Sequence, residues 1–230
     1  MSKYWCENSA VFTHYYNGLS VLFPAWENLF CQVMEAYKPK VKDPELLADM
    51  EKFIKQEQSH SKAHHAHNKK IDELDLEATQ YAKANILAQK PASGTVLGAM
   101  VSIEHMASSA ARDLIDRYSD KEGKEYKMYV WHAHEEIEHK SVAYKLWTYF
   151  KKDRSYLKRI AWVNFTTTVG FGLGYTWKKL KKEKLLWNPK TWYDLTKLSY
   201  RIIVKMLIPY TFIFRNNFNP DLIDDSKYGY

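Results

Sequence analysis

The chain has 230 residues, of which 46% are hydrophobic, so it is long enough to bury a sizeable core and too apolar to be disordered or fibrous. Its N-terminal residues lack the apolar run of a secretory signal, and its two cysteines form neither a disulfide framework nor a metal-binding spacing. These features predict a protein of the reducing cytoplasm.

The net charge of +7 is distributed unevenly along the chain. Residues 151–205 hold fourteen Lys or Arg and three acidic residues, a local balance of +11, which leaves −4 for the rest. A basic segment of this kind is typical of proteins that contact an anionic partner, although it also serves solubility.

Helical periodicity dominates the first half of the chain. Apolar residues at three- and four-residue steps predict a first helix over 21–38, in which Pro24 occupies the first turn. Asp43 before a proline is an N-cap signal, and it begins a second predicted helix that ends near Lys70. A less apolar helical stretch beginning at Leu74 is expected to pack outside the core.

Two more helices follow a break at residues 91–94. They are predicted over 95–118 and 124–150, again from apolar stripes. The long connection before the third bundle helix is typical of ferritin-like topology, and no strand signal precedes residue 165. We therefore predict an all-α fold, with a ferritin-like four-helix bundle over 1–152 and a basic, aromatic-rich helical extension over 153–230 packed on it.

Two Glu-x-x-His motifs are the strongest functional signal. Glu57 precedes His60 by three residues, and Glu136 precedes His139 by the same step. In a helix this step is about 300°, so both side chains of a pair point to the same side. Each pair is therefore suited to bind one metal ion.

Each motif also has a preceding glutamate partner. Glu27 lies 30 residues before Glu57, and Glu104 lies 32 residues before Glu136. The chain therefore contains a Glu followed by a Glu-x-x-His motif, and this order occurs twice. It is the ligand order of ferritin-like di-iron or di-manganese bundles. The mixed oxygen and nitrogen donors favour iron or manganese over zinc.

The motifs predict a ligand arrangement around two ions. In it, Glu57 and Glu136 bridge the ions. One ion is completed by Glu27 and His60, and the other by Glu104 and His139.

Further histidines extend these stripes. His132 lies four residues before Glu136, on the same face, and is either a seventh ligand or a supporting core histidine. His64 has the same spacing from His60, and it either lines the cavity or binds metal.

Neighbouring polar and small residues complete the predicted site. Gln56 and Glu135 each precede a bridging glutamate, and either can reach the imidazole of the opposite helix, since metal-bound histidines usually donate their free N–H to such a group. Glu138 is rotated away and is expected to be solvated. Ala107, Ser108 and Ala111 are small residues near Glu104 that either leave space for dioxygen or a substrate or permit close helix packing.

The C-terminal extension differs from the bundle in its distribution of charged and aromatic residues. Residues 160–177 contain no charge, are flanked by basic clusters, and carry Trp162 and Trp177 near their ends, as membrane-interface segments do. Threonines and glycines make the run too polar for a spanning helix. Two readings stay open: a peripheral contact with the inner membrane, or helices that cap the bundle or pair subunits of a homodimer. Nucleic acid is not an expected partner, because no reading motif accompanies the basic residues.

These motifs resemble the bacterial family of predicted metal-dependent hydrolases, which is itself similar in pattern to the ferritin-like di-iron proteins. The resemblance is carried by residues 22–27, 56–60 with His64 and Asn68, 104–105, 131–140 and 218–220, and so covers nearly the whole chain. His132 before the last motif further resembles the di-iron arylamine N-oxygenases, in which an Asp precedes each bridging Glu where this chain has Gln56 and Glu135.

Three functions remain open on this basis. The carboxylate-rich ligand set favours an oxygen-dependent oxidase or oxygenase that acts with dioxygen on a small organic or lipid-like substrate. The family label instead implies a hydrolase in which iron, manganese or zinc activates water. The third is a non-enzymatic iron-handling or membrane-associated protein.

Overall fold

Helices account for every regular element in the part of the chain that the structure describes. The computed structural model describes residues 3–69, 71, 76–150 and 153–229. Its longer helices are α1 (Ala10–Tyr37), α2 (Pro44–Asn68), α3 (Leu76–Ile86), α4 (Gly94–Tyr118), α5 (Lys124–Tyr149), α6 (Arg154–Lys182) and α7 (Pro189–Tyr200). A π-helical segment (Arg201–Leu207) and a single turn, α8 (Ile208–Tyr210), follow α7. The predicted all-α bundle is confirmed.

Helix α1 begins earlier than the periodicity predicted. Ser9 caps it by accepting a backbone N–H of the first turn at 3.4 Å, so the helix begins at Ala10 and Pro24 lies in its interior instead of its first turn. Proline lacks an N–H, which leaves the carbonyl of Ser20 without its intrahelical donor. The side-chain amide of Asn68 on α2 donates to that carbonyl at 2.7 Å and so compensates for the proline.

Helix α2 begins at its predicted cap, and α4 begins at a cap that was not predicted. Asp43 accepts a backbone N–H of the first turn of α2 at 3.0 Å, and Ser93 does the same for α4 at 3.2 Å. The bounds of α4 and α5 agree with the predicted ones to within one residue. The expected helix end near Lys70, the expected start at Leu74 and the proposed boundary at residue 152 lie outside the described residues.

The bundle helices pack in two pairs, α1 with α2 and α4 with α5, and α2 also contacts α5. Helix α3 contacts α1, while α6 lies against α1 and α4. The approach of α6 to α1 is close: a Cβ at Gly172 would lie 2.8 Å from the ring of Tyr15, and one at Gly18 would lie 2.9 Å from Tyr175. One glycine on each helix, Gly18 on α1 and Gly172 on α6, therefore permits this close approach. The ferritin-like character and the two-domain division remain predictions.

The chain after α7 runs back along α6 in the opposite direction. Three contacts show this path: ring centroids 6.3 Å apart for Trp177 and Trp192, ring centroids 5.2 Å apart for Phe165 and Tyr210, and a 3.0 Å hydrogen bond from Lys158 to Asn216. These elements form a layer outside the bundle. Among the described residues, none of the helices combines the length and apolarity needed to cross a membrane.

The C-terminal segment is held on the bundle by a buried charge cluster. Arg112 of α4 donates to both carboxylate oxygens of Asp225, at 2.6 and 2.9 Å, and Lys140 of α5 forms an ion pair with the same carboxylate. Asp225 is only 3% exposed. The cluster therefore fixes the end of the chain to both helices of the α4–α5 pair.

Candidate metal centre

Four helices bring the predicted ligands together in the interior of the bundle. Helix α1 contributes Glu27, α2 contributes Glu57 and His60, α4 contributes Glu104, and α5 contributes Glu136 and His139. All six are at most 8% exposed. Burial of this many carboxylates without a counter-ion is unfavourable, so the arrangement needs a source of positive charge.

The tightest group consists of the two Glu-x-x-His motifs. One ligand atom from each of Glu57, His60, Glu136 and His139 lies within 4.8 Å of all the others. Glu57 Oε1 is 2.8 Å from Nδ1 of His139 and 3.4 Å from Nδ1 of His60. This carboxylate thus lies between the two imidazoles, as a group that bridges two ions must.

The partner glutamates lie on either side of this group. Glu104 Oε2 is 3.7 Å from Nδ1 of His139, which agrees with their predicted pairing at one ion. Glu27 forms a second group with His64 and His132, again with one atom from each within 4.8 Å of the others. The structure therefore brings Glu27 near His64 and His132, the two histidines whose role as further ligands the sequence left open.

Several buried atoms of these residues have no hydrogen-bond partner. In the described part of the chain, both carboxylate oxygens of Glu27 lack one, and so do Glu57 Oε1, Glu104 Oε2, and Nδ1 of both His60 and His139. Buried polar atoms are nearly always hydrogen-bonded, and exceptions need an explanation. The exceptions here are carboxylate oxygens and imidazole nitrogens that face one another, so the residues fit divalent cations.

The pKa values reflect the same crowding of carboxylates. Burial, together with the nearby charges of Glu57 and Glu136, raises the pKa of Glu27 and of Glu104 well above the usual value. Burial also acts to raise the pKa of Glu57, but the adjacent imidazoles of His139 and His60 outweigh it and lower the pKa to about 2. The four carboxylates therefore cannot all ionise easily unless a cation lies among them.

The outer nitrogens of both motif histidines are held from the opposite helix. His60 Nε2 lies 2.7 Å from Glu135 on α5, and His139 Nε2 lies 3.2 Å from the side-chain oxygen of Gln56 on α2. Each contact points the other nitrogen, Nδ1, towards the carboxylates. This cross-helix arrangement is the one expected from the positions of Gln56 and Glu135 next to the motif glutamates.

Glu138 corrects one expectation. The sequence predicted a solvated side chain, but Glu138 accepts a hydrogen bond from Nε2 of Gln56 at 3.2 Å and forms an ion pair with Lys52. It therefore orients the amide whose oxygen faces His139. The helical rotation that turns Glu138 away from the centre also turns it towards α2, which periodicity within one helix does not reveal.

His132 and His64 form a connected pair beside the centre. His132 Nε2 lies 2.6 Å from Glu136 Oε1, and its Nδ1 lies 2.6 Å from Nε2 of His64. His64 Nδ1 in turn lies 2.8 Å from the hydroxyl of Ser20, which donates to Asn68 at 2.8 Å. Burial lowers the pKa of both histidines, which favours neutral imidazoles, the form that binds metals. Whether His132 and His64 act as ligands stays a prediction.

An apolar cavity of about 120 Å³ adjoins the centre between α1, α4 and α5. Glu27, Glu104, Glu136 and His132 contribute its polar part. The remainder is mostly aliphatic and aromatic, and Ala107 and Ala111 line it as expected. The centre is therefore accessible to a small apolar molecule.

One comparison with known proteins gave a match. The model of a family described as predicted metal-dependent hydrolase matches residues 1–224. No curated protein and no solved structure matches the chain. The match supports the hydrolase alternative better than it supports oxidation, and kinship with the ferritin-like di-iron proteins and the arylamine N-oxygenases stays a prediction.

Proposed function

We propose that this chain, which belongs to the family of predicted metal-dependent hydrolases, is an enzyme with two divalent cations in one carboxylate-rich centre. The observation that carries the proposal is the convergence of buried, unpartnered carboxylate and imidazole atoms from four helices. Such atoms are costly in an empty interior and become ligands when cations are present.

The distances support a division of roles among the residues. Glu57, between His60 and His139, is placed to bridge the ions together with Glu136. His139 and Glu104, 3.7 Å apart, would hold one ion. His60 would hold the other, and Glu27, which lies near His64 and His132, would complete it. Glu135 and Gln56 fix the imidazoles from outside. Iron is the metal that we propose, with manganese or zinc as alternatives.

The cavity favours oxidation of a small apolar molecule. Two ferrous ions would supply the electrons with which dioxygen is reduced. The apolar walls exclude water and bind an apolar substrate beside Glu104 and Glu136. The hydroxyl of Tyr129 in this cavity donates to the carbonyl of Tyr16 at 2.9 Å, so it is not free to bind a polar substrate.

Hydrolysis is the second candidate, and the description of the family favours it. In that reaction the cations would lower the pKa of a bound water. The same residues hold the ions in both candidates, so the two proposals differ in the reaction and not in the ligand set.

One experiment separates the candidates. Protein stripped of metal and reloaded with ferrous iron under nitrogen is mixed with oxygenated buffer, and oxygen consumption and visible absorption are followed. Oxidation predicts oxygen uptake, with a Glu57→Ala variant as the control that lacks it. Absence of uptake by the iron-loaded protein rejects oxidation. Turnover of ester or phosphoester substrates by zinc-loaded protein under strict anaerobiosis would establish hydrolysis instead.

A further inference from the structure

The outward side of α6 is apolar and uncharged over most of its length. Its exposed residues recur at helical spacing and form what we name the outer stripe: Trp162, Val163, Thr166, Thr167, Gly170, Leu173, Gly174 and Trp177. Trp162 is 57% exposed and Val163 is 56% exposed. The fifteen steps from Trp162 to Trp177, at about 1.5 Å each, make the stripe roughly 22 Å long. An exposed apolar surface of this kind marks an interaction site.

The polar side chains of the outer stripe are satisfied within α6 itself. The hydroxyl of Thr166 lies 3.0 Å from the carbonyl of Trp162, and the hydroxyl of Thr167 lies 2.8 Å from that of Val163. Because both hydroxyls already donate to their own helix, covering them with an apolar phase leaves no donor without an acceptor. The whole stripe can therefore enter an apolar environment.

Basic residues flank the stripe at both ends. Arg159 is exposed at the N-terminal end, and Lys178, Lys181 and Lys182 are exposed at the C-terminal end. The turn after α6 adds Trp187, which is 93% exposed. Tryptophan and lysine around an apolar band are the composition of elements that lie in a membrane interface.

We propose that the outer stripe of α6 docks on an anionic phospholipid surface, with the helix lying parallel to the membrane. The apolar middle of the stripe would enter the boundary between headgroups and acyl chains, and the lysines and arginine would contact headgroup phosphates. This surface is independent of the metal centre and of the reaction proposed for it.

The distribution of charge favours a lipid surface over a second copy of the chain or a nucleic acid. In an antiparallel pair of stripes from two copies of the chain, Arg159 of one copy would approach Lys181 of the other, whereas Lys178 already pairs with Glu77. A parallel pair would also place like charges together. Nucleic acid requires cations along its phosphates, yet the middle of the stripe has none over roughly 22 Å. An anionic bilayer matches both the apolar middle and the cationic ends.

Vesicle sedimentation tests the electrostatic part. The full chain is mixed with vesicles of phosphatidylcholine alone, or with one quarter phosphatidylglycerol, and the bound fraction is measured. We expect binding only to the anionic vesicles. Replacing both Lys181 and Lys182 with Gln is expected to weaken binding roughly 30-fold, since each surface lysine contributes about a factor of five. The matched control, Lys121→Gln with Lys124→Gln on the α4–α5 turn, should leave binding unchanged.

A second variant tests the apolar part. A Cβ at Gly170 meets nothing within 4 Å, so Gly170→Glu and Gly170→Gln both preserve the fold, which circular dichroism checks. We expect Gly170→Glu to abolish vesicle binding and Gly170→Gln to retain most of it. Equal binding to neutral and anionic vesicles, no effect of Gly170→Glu, or a solution dimer that this variant dissociates would overturn the proposal.

Discussion

Two buried groups of charged side chains in this protein differ in how their charges are balanced. The carboxylate of Asp225 contacts both Arg112 and Lys140, so a negative charge meets two positive ones. In the described part of the chain, the ion pairs of Glu57, Glu104 and Glu136 join histidines alone, and both oxygens of Glu27 have no hydrogen-bond partner.

This difference indicates which of the two groups requires a bound cation. The protein places arginine and lysine around the buried carboxylate of Asp225, but within its described residues it places neither around Glu27, Glu57, Glu104 or Glu136. The unbalanced group is also the one with the two Glu-x-x-His motifs and the adjoining cavity. We infer that divalent cations replace the missing protein charges there.

The largest change in stability is expected from disrupting the ion pairs of Asp225. Asp225→Ala leaves Arg112 and Lys140 without their buried partner, and we expect the free energy of unfolding to fall by about 3–5 kcal/mol. Urea denaturation measures it. The control is Asp224→Ala, which removes an exposed carboxylate that accepts the backbone N–H of Ser226 at 3.0 Å and should cost no more than about 1 kcal/mol.

The same carboxylate predicts a pH dependence. Burial acts to raise the pKa of Asp225, but Arg112 and Lys140 outweigh it and lower the pKa below 3.8. Its stabilising contribution is therefore present above the unfolded value and is lost as the pH falls through the folded value. The difference in stability between wild type and Asp225→Ala should shrink below about pH 4. A difference that is constant down to pH 2 would contradict the ion-pair account.

Removal of a carboxylate from the glutamate group of the metal centre is expected to raise the stability of the metal-free protein, whereas removal of Asp225 lowers it. Glu27→Leu removes two unpartnered carboxylate oxygens, so the metal-free protein should gain roughly 1–3 kcal/mol of stability. Since burial raises the pKa of Glu27, the gain should grow as the pH rises above the unfolded value of 4.5, where the wild-type carboxyl must stay protonated or ionise at a cost.

Thermal unfolding of metal-free protein between pH 4 and 8 checks this sign. Glu35→Leu is the matched control, because Glu35 is exposed on the same helix and its replacement should have little effect. A loss of stability in metal-free Glu27→Leu would mean that the carboxylate is compensated within the protein.

A smaller effect, on metal affinity, is expected from changing the residues that contact the outer nitrogens of the motif histidines. Gln56→Ala removes the oxygen that faces His139 Nε2, and the affinity for metal should fall about 10–100-fold without loss of an ion. Competition with a chelator measures the change. Gln58→Ala, an exposed position two residues away, should leave the affinity at the wild-type value.

The convergence of the predicted ligands could be foreseen because the geometry of each motif is local. The steps from Glu57 to His60 and from Glu136 to His139 are fixed by helical pitch, so each pair faces one way in any straight helix. The cross-helix contacts of Gln56 and Glu135 followed from the same reasoning. The exposed, uncharged face of α6 was visible as a run without charge.

Features that depend on partners distant in the chain were missed. Pro24 is tolerated in the interior of α1 because Asn68, 44 residues later, donates to the freed carbonyl. The start of α1 was missed for a different reason, since its cap, Ser9, is a local residue that the predicted helix did not include. The balance between Asp225 and Arg112 joins residues 113 apart. Periodicity within one helix carries no information on such pairs.

The central claim is that the centre binds two cations. After removal of bound metal, the protein is dialysed against manganese or, anaerobically, ferrous iron, and the ions per chain are counted by elemental analysis for wild type and Glu57→Ala. The account predicts two ions per wild-type chain and fewer than one in the variant, since Glu57 lies between both imidazoles. A wild-type chain that retains no ion, or a variant that still binds two, would contradict it.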